Sequence, residues 1–374
     1  MSEPLKISIG VVALNEEATI VAALTSILEQ TIFTNAGKLK MEPELVVIAN
    51  GCTDRTVEVT AQFFGRSRVE FPEGGPVQLR IEDVAEAGFP NAWNLLAHTY
   101  SRKDADFIFF VNADIVISQA DAFEQMLKTI GKDYDMKVVS PLGIKHIEKA
   151  KCKTMYDRLN LAVTRFTEKN QTGQVRGHCL CARSAAMRTV WLPKQFPGAV
   201  DGLFKRLIVS DMASRPDNPA RIGVASGVFY TFEAYRTFYD IYCRRVRLFV
   251  GQTYIETLMR HLKTMKAEQP DLNITAYLRA RDDADPAWVH RLVFLSIRVR
   301  GLFPTMPSPW FRFRFWQNPK IGVFRKLGML PVAVMAFLFD VPVFLSAAWL
   351  LKVGRVSNVW KDTRNRGVQQ NVPL

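Results

Sequence analysis

Three short polar turns interrupt apolar stretches, and each carries side chains able to hold a phosphate, a sugar hydroxyl or a cation. Asn15-Glu16 follows the run Lys6–Leu14, Asn50 through Asp54 follows Leu45–Ala49, and Asn112-Ala113-Asp114 follows Phe107–Val111. An acidic residue directly after a buried strand is placed to hold a divalent cation, which in turn can neutralise a diphosphate. Mg2+ or Mn2+ takes only one or two protein carboxylates and fills its shell with substrate phosphates, so Asp114 suffices as a ligand. Taken singly, each turn reads more simply as punctuation, because Asn, Asp, Gly and Thr favour turns and N-caps.

The elements that must position these turns follow from hydrophobic period. Lys6–Leu14, Leu45–Ala49 and Phe107–Val111 are near-continuous β-rich runs, as expected of strands buried on both faces, and a further strand is expected near Val77–Ile81. A helix opening at Asn15-Glu16-Glu17 carries apolar residues at Ile20, Ala23, Leu24, Ile27 and Leu28, and helices are also expected over Thr56–Phe64 and Asn91–Tyr100. This alternation predicts an α/β fold with a mostly parallel sheet flanked by helices, and it puts the polar turns at the carboxyl ends of the strands, where such sheets bind ligands.

Taken together, the turns resemble family 2 of the inverting nucleotide-sugar glycosyltransferases, which have the GT-A fold. The resemblance is carried by Val11-Val12-Ala13-Leu14-Asn15-Glu16-Glu17, by Val46 through Thr56, by Ala87-Gly88-Phe89-Pro90-Asn91-Ala92-Trp93-Asn94, and by Phe110-Val111-Asn112-Ala113-Asp114. It covers roughly residues 5–250. It implies a nucleotide-diphosphate sugar donor, with Ala13, Asn15, Glu16, Asn50, Asp54 and Asn94 on the substrate and Asp114 on the metal, Mg2+ or Mn2+. Two departures stand out: Ala49 occupies a usually acidic position, and the usual DxD is here Asn112-Ala113-Asp114. Farther on, Gly177-His178-Cys179-Leu180-Cys181-Ala182-Arg183 resembles the small-residue segment beneath the acceptor, with His178 as a substrate contact. Asp201, in Gly198-Ala199-Val200-Asp201-Gly202, matches the place of the catalytic base, and Asp211 is its rival. An inverting transfer needs one carboxylate at the acceptor hydroxyl to take its proton. Arg244 and Arg247 match the arginines of the Q/R-x-x-R-W motif of membrane synthases, with Leu248 in place of Trp. Arginine suits a leaving diphosphate, although a basic helix face reads equally as solvated or lipid-facing. A lid over Pro193–Gly202 would lie beside the base.

The net charge of +13 is unevenly placed. Residues 1–235 hold 27 Lys/Arg and 27 Asp/Glu, whereas residues 236–374 hold 22 against 9. The expected organisation is a catalytic domain over 1–235 and a basic helical region over 236–374. The latter contains an interfacial segment, 304–326, and an apolar membrane segment, 327–351. Leu327–Leu351 exceeds the roughly 20 residues that span a bilayer. Its thirteen Leu, Val and Phe, at about −0.3 to −0.6 kcal/mol each, outweigh Asp340 at roughly +3 kcal/mol, with Pro331 and Pro342 weakening the balance. A hairpin, an in-plane helix and a buried core helix are the alternatives. The alternation Trp310-Phe311-Arg312-Phe313-Arg314-Phe315-Trp316 fits a headgroup belt.

Five cysteines, Cys52, Cys152, Cys179, Cys181 and Cys243, show neither a CxxC pair nor zinc spacing, and the polar start MSEPLKISIG reads as a first strand rather than a signal peptide; both point to the cytoplasm. The expected partners are the donor, a lipid or lipid-linked acceptor and an anionic membrane at the cytoplasmic face. Nucleic acid is excluded because the basic region is interleaved with apolar and Trp-rich stretches and holds no recognition module. The alternative is a catalytically weak or inactive membrane binding protein on the same fold, motivated by Ala49 and Asn112.

Overall fold

The computed structural model of the chain describes residues 3–67, 77–146, 174–233, 237–319, 321–354 and 356. Cys152 and the expected boundary at 235/236 lie outside the described residues. The chain forms two compact units: Met1–Lys194 with Phe204–Ala234 and Ile274–Leu278, and Gln195–Leu203 with Tyr235–Asn273 and Arg279–Leu374.

The first unit is built on an eight-stranded sheet of order β3-β2-β1-β4-β7-β6-β8-β5. Its strands are β1 (Leu5–Ala13), β2 (Met41–Asn50), β3 (Gln78–Val84), β4 (Phe107–Asn112), β5 (Ile115–Ile117), β6 (Val138–Lys145), β7 (Cys179–Arg183) and β8 (Ile222–Phe232). Helices α1 (Ile20–Leu28), α2 (Thr56–Ser67), α3 (Phe89–Leu95) and α4 (Ala122–Gly131) belong to it. The last seven residues of β1 and all six of β4 are buried, as the unbroken apolar runs require. Ile7, Ile9 and Val11 share one core with Leu45, Val47, Phe109 and Val111. The chain runs outward from β1 through β2 to β3, then returns to place β4 on the other side of β1, all in parallel. That reversal makes the β1/β4 edge a topological switch point, where open α/β sheets place their ligands.

Parallel pairing stops at β4. β7 runs antiparallel to both β4 and β6, and β5 antiparallel to β8, while β6 and β8 are parallel. The sheet is therefore mixed. Two expected elements shift. α1 starts at Ile20 rather than at Asn15, because Asn15 adopts left-handed φ 56° and turns the chain first. The expected helix over Asn91–Tyr100 is α3 followed by a π turn, Leu96–Tyr100.

Three labelled elements follow: α5 (Val200–Val209), α6 (Phe238–Glu268) and α7 (Ile274–Ala284). α6 opens on a capping box in which Thr237 and Asp240 satisfy each other's backbone N–H groups. The second unit continues with α8 (Trp288–Arg300), the 3-10 turn Pro309–Gln317 and α9 (Val323–Val353). The apolar segment is one helix, not a hairpin, with both prolines inside it. α9 packs on α6: the Tyr242 and Ser346 hydroxyls are 2.5 Å apart, and the Phe249 and Phe344 rings meet edge-on.

Candidate active site

In the first unit the ends of β1, β2 and β4 are tied together by the residues of the polar turns. Register puts Ala13 beside Ala49, and Val12 beside Asn112. The Asn15 Oδ1 accepts from the Thr53 N–H at 2.7 Å and from the Thr53 hydroxyl at 3.3 Å. The Glu16 N–H donates to the Thr56 hydroxyl at 2.8 Å, and the Glu16 carboxylate accepts from Thr19 at 2.7 Å. Asp54 caps α2, its carboxylate accepting from the Thr56 N–H and hydroxyl and from the Glu17 N–H. Asn15, Glu16 and Asp54 thus join the β1 and β2 turns into one rigid rim. Cys52 sits within it, and burial pushes its thiol up.

Asn50 and Asn112 differ from these. The Asn50 Nδ2 donates to the Gly88 carbonyl at 2.8 Å, which fixes the amide. Both residues are buried, and among the described residues nothing donates to either Oδ1. A buried acceptor left unmade costs about 1–3 kcal/mol, so the two carbonyl oxygens are poised for donors brought by a ligand. Gly51, at φ 73°, sits between the β2 end and Ala87; a Cβ there would lie 2.5 Å from the Ala87 Cβ. The turn therefore accepts no larger residue.

The β4 end continues the site. The Asn112 N–H donates to the His178 carbonyl at 2.8 Å, and the Ala113 N–H to the Val12 carbonyl at 3.0 Å, leaving the half-buried Asp114 at the corner. The His178 ring stacks on Tyr230 and leans on Phe232. Tyr230 and Arg176 were missed in the sequence reading. Burial pushes the Tyr230 phenol up, a hydrogen bond from Arg176 opposes this, and the Asp114 carboxylate adds to the rise. Tyr230 could have been found from the alternation of Val228, Tyr230 and Phe232; Arg176 had no signal.

Asn94, expected on the substrate, also has a place in the fold. It is buried, donates to the Leu192 carbonyl at 2.7 Å and accepts from the Leu192 N–H at 2.9 Å. The rival base Asp211 is also engaged: Arg221 meets its carboxylate at 3.0 Å and Arg215 at 3.3 Å, and the Arg221 hydrogen bond holds it below the usual carboxylate range.

In the second unit, Gly198 and Ala199 lead into Asp201 with positive φ values of 140° and 52°. This corner lies flush on α6. A Cβ on Gly251 would fall 2.7 Å from the Gly198 carbonyl, and one on Gly198 would fall 2.7 Å from the Arg247 Cγ. The half-buried Asp201 therefore stands in the first turn of α5, beside the stretch of α6 that carries Arg247. Arg244 and Arg247 are three apart on one helix face, and Arg245 turns away to Asp340. Of the expected lid, Pro193–Gly202, residues 195–202 belong to this unit.

Polar groups at the strand ends, with Asp114 after β4, thus gather at the topological switch point where open α/β sheets bind ligands. The sequence matches the model of glycosyl transferase family 2 over residues 8–194, and the chain belongs to that family. It is a nucleotide-sugar-dependent glycosyltransferase of the GT-A fold. Among solved structures it is similar to the mannosyltransferase PcManGT from Pyrobaculum calidifontis in complex with GDP-Man and Mn2+, at 15% identity and TM-score 0.50, covering 96% of this chain and 88% of that one. It is also similar to S. aureus TarS 1–349 (14% identity, TM-score 0.47, 97% and 92% covered). A third is glucosyl-3-phosphoglycerate synthase from Mycobacterium tuberculosis with Mg2+ and UDP (16%, TM-score 0.39, 70% and 80% covered). No curated protein matches the sequence.

Proposed function

We propose that the enzyme moves a sugar, with inversion, from a nucleotide-diphosphate sugar to a hydroxyl of a lipid or lipid-linked saccharide at the cytoplasmic face of an anionic membrane. Residues 1–235 would be the catalytic domain and 236–374 the membrane-facing region. The observation that carries the donor half is the pair of buried acceptors without donors, Asn50 Oδ1 and Asn112 Oδ1, flanking the β1 end. Amide oxygens read N–H and O–H groups, which a nucleoside supplies from its base and ribose.

The β4 corner fits a hard divalent cation. Among the described residues no group of three or more His, Cys, Asp and Glu gathers, so the protein's donor is the Asp114 carboxylate. Oxygen donors with few carboxylates suit Mg2+ or Mn2+, whose remaining positions go to phosphate and water. When bound, such a cation neutralises charge on the leaving diphosphate. Asp201 takes the proton of the acceptor hydroxyl as its oxygen bonds the anomeric carbon and the bond to the diphosphate breaks. Arg247, with Arg244, holds the departing phosphates through charge-assisted hydrogen bonds. His178, stacked on Tyr230, lines the acceptor side.

A lipid acceptor is supported by α9, whose apolar length exceeds that of a bilayer span and whose surroundings are basic. The test is release of nucleoside diphosphate from a panel of nucleotide sugars with total membrane lipids present. Asp114→Ala and Asp201→Ala should each lower turnover by about 100-fold or more, the scale of losing a charge-stabilising or proton-accepting group. Activity that survives both substitutions overturns the mechanism.

A further inference from the structure

α9 presents two unlike faces. Ala333, Asp340, Val343, Phe344, Ala347, Ala348 and Leu351 are buried. On the opposite side Phe324, Met335, Leu338, Leu345 and Trp349, spaced by multiples near the helical repeat, are each at least 55% exposed. This outer stripe is apolar from end to end and runs about 38 Å at 1.5 Å per residue. A soluble helix would carry its polar side outward. Here the charged residue faces in.

That residue, Asp340, is wholly buried near the middle of α9. Arg245 of α6 donates to both its oxygens at 2.9 and 3.1 Å, and Arg312 donates at 2.7 Å. The Tyr242 hydroxyl meets the Pro342 carbonyl at 3.3 Å, and Trp310 and Phe313 pack on Phe337. The midpoint of α9 is thus fastened to the start of α6 and to the 309–317 turn, which expose Arg244 and Arg314. Were α9 to cross a bilayer, these arginines would have to enter the hydrocarbon beside residue 340, the depth at which charge is least tolerated. A helix fastened at its middle to cationic, water-facing segments can instead lie flat, its outer stripe in the acyl boundary. Arg325 and Lys326 at one end and Lys352 at the other would then meet phosphate headgroups.

The geometry points to α9 as an in-plane membrane anchor: its Phe324–Trp349 stripe enters one leaflet of an anionic bilayer, and the Asp340–Arg245–Arg312 cluster keeps it from crossing. This rests on the membrane association proposed above. The test uses the full chain with one epitope tag before Met1 and another after Leu374, expressed in a bacterial host and recovered in sealed inside-out membrane vesicles. External protease without detergent should remove both tags together. Removal of the first with protection of the second until detergent is added means that α9 crosses, and overturns the orientation alone. Recovery of the chain in the soluble fraction, as a monomer or as a dimer joined through the stripe, overturns the membrane association itself. In a second measurement, the Leu338→Glu/Leu345→Glu variant changes only exposed positions and should lower flotation with phosphatidylcholine/phosphatidylglycerol vesicles by about tenfold or more. Unchanged flotation overturns the assignment of the stripe.

Discussion

At the scale of single residues, the polar turns divide into side chains that build the rim and side chains that, in the proposed function, wait for a ligand. Asn15, Glu16 and Asp54 build: their hydrogen bonds close on Thr53, Thr19 and Thr56. Asn50 and Asn112 wait, each with a buried oxygen that accepts nothing from the described residues. Sequence alone lists all five as equals, because residue type tells what an amide can do and not where its partners lie. Asn94 makes the same point, since the motif that names it says nothing of Leu192, 98 residues away. Asn94→Ala leaves the Leu192 N–H and C=O buried without partners and should destabilise the protein by about 2–4 kcal/mol in urea unfolding. Its donor KM should stay within about twofold of wild type, because a residue that makes no ground-state contact with substrate leaves KM alone. A large rise in KM with unchanged stability would show that the amide serves the substrate after all.

At the scale of elements, the readable parts were those with an unbroken apolar period. β1 and β4 fall within a residue of expectation because nothing but burial on both faces explains such runs, whereas β2 begins four residues earlier than its apolar run, at Met41. The second half of the sheet was not legible, as β7 and β8 mix small, polar and aromatic residues and find their register only against β4 and β6. α7 carries a buried acid, Asp282, whose partner no sequence period shows: it accepts from the Trp288 indole N–H at 2.8 Å. The corner before Asp201 was legible as a motif but not as a packing problem. Gly251, mid-helix in α6, is what allows the Gly198 carbonyl to approach. Gly251→Ala, a change that normally favours a helix, should here push the corner off α6. We expect kcat to fall by about tenfold or more while donor binding persists, since misplacing a base by about an ångström is enough for that. Equal loss of donor affinity would place Gly251 in the donor site instead.

At the scale of the whole molecule, the proposed membrane binding divides into a part from charge and a part from apolar surface. Residues 1–235 are balanced, and the entire +13 resides in 236–374. Raising ionic strength from about 0.01 M to 1 M shortens the Debye length from about 30 Å to about 3 Å, so binding to anionic vesicles should weaken steeply with salt. It should settle on the level seen with neutral phosphatidylcholine, which the apolar stripe sustains without charge. Flotation over a salt series measures both. Binding insensitive to salt would assign no role to the basic region.

The placement of Asp340 also sets an order of events during synthesis. Its two guanidinium partners precede it by 95 and 28 residues. As the chain leaves the ribosome, the strands of the sheet have emerged long before the carboxylate that fixes α9, and domains generally fold in order of emergence. The sheet can therefore mature in water while the greasiest helix is still unmade. That helix then emerges to find both cations already waiting, so it has a docking place from the moment Asp340 appears.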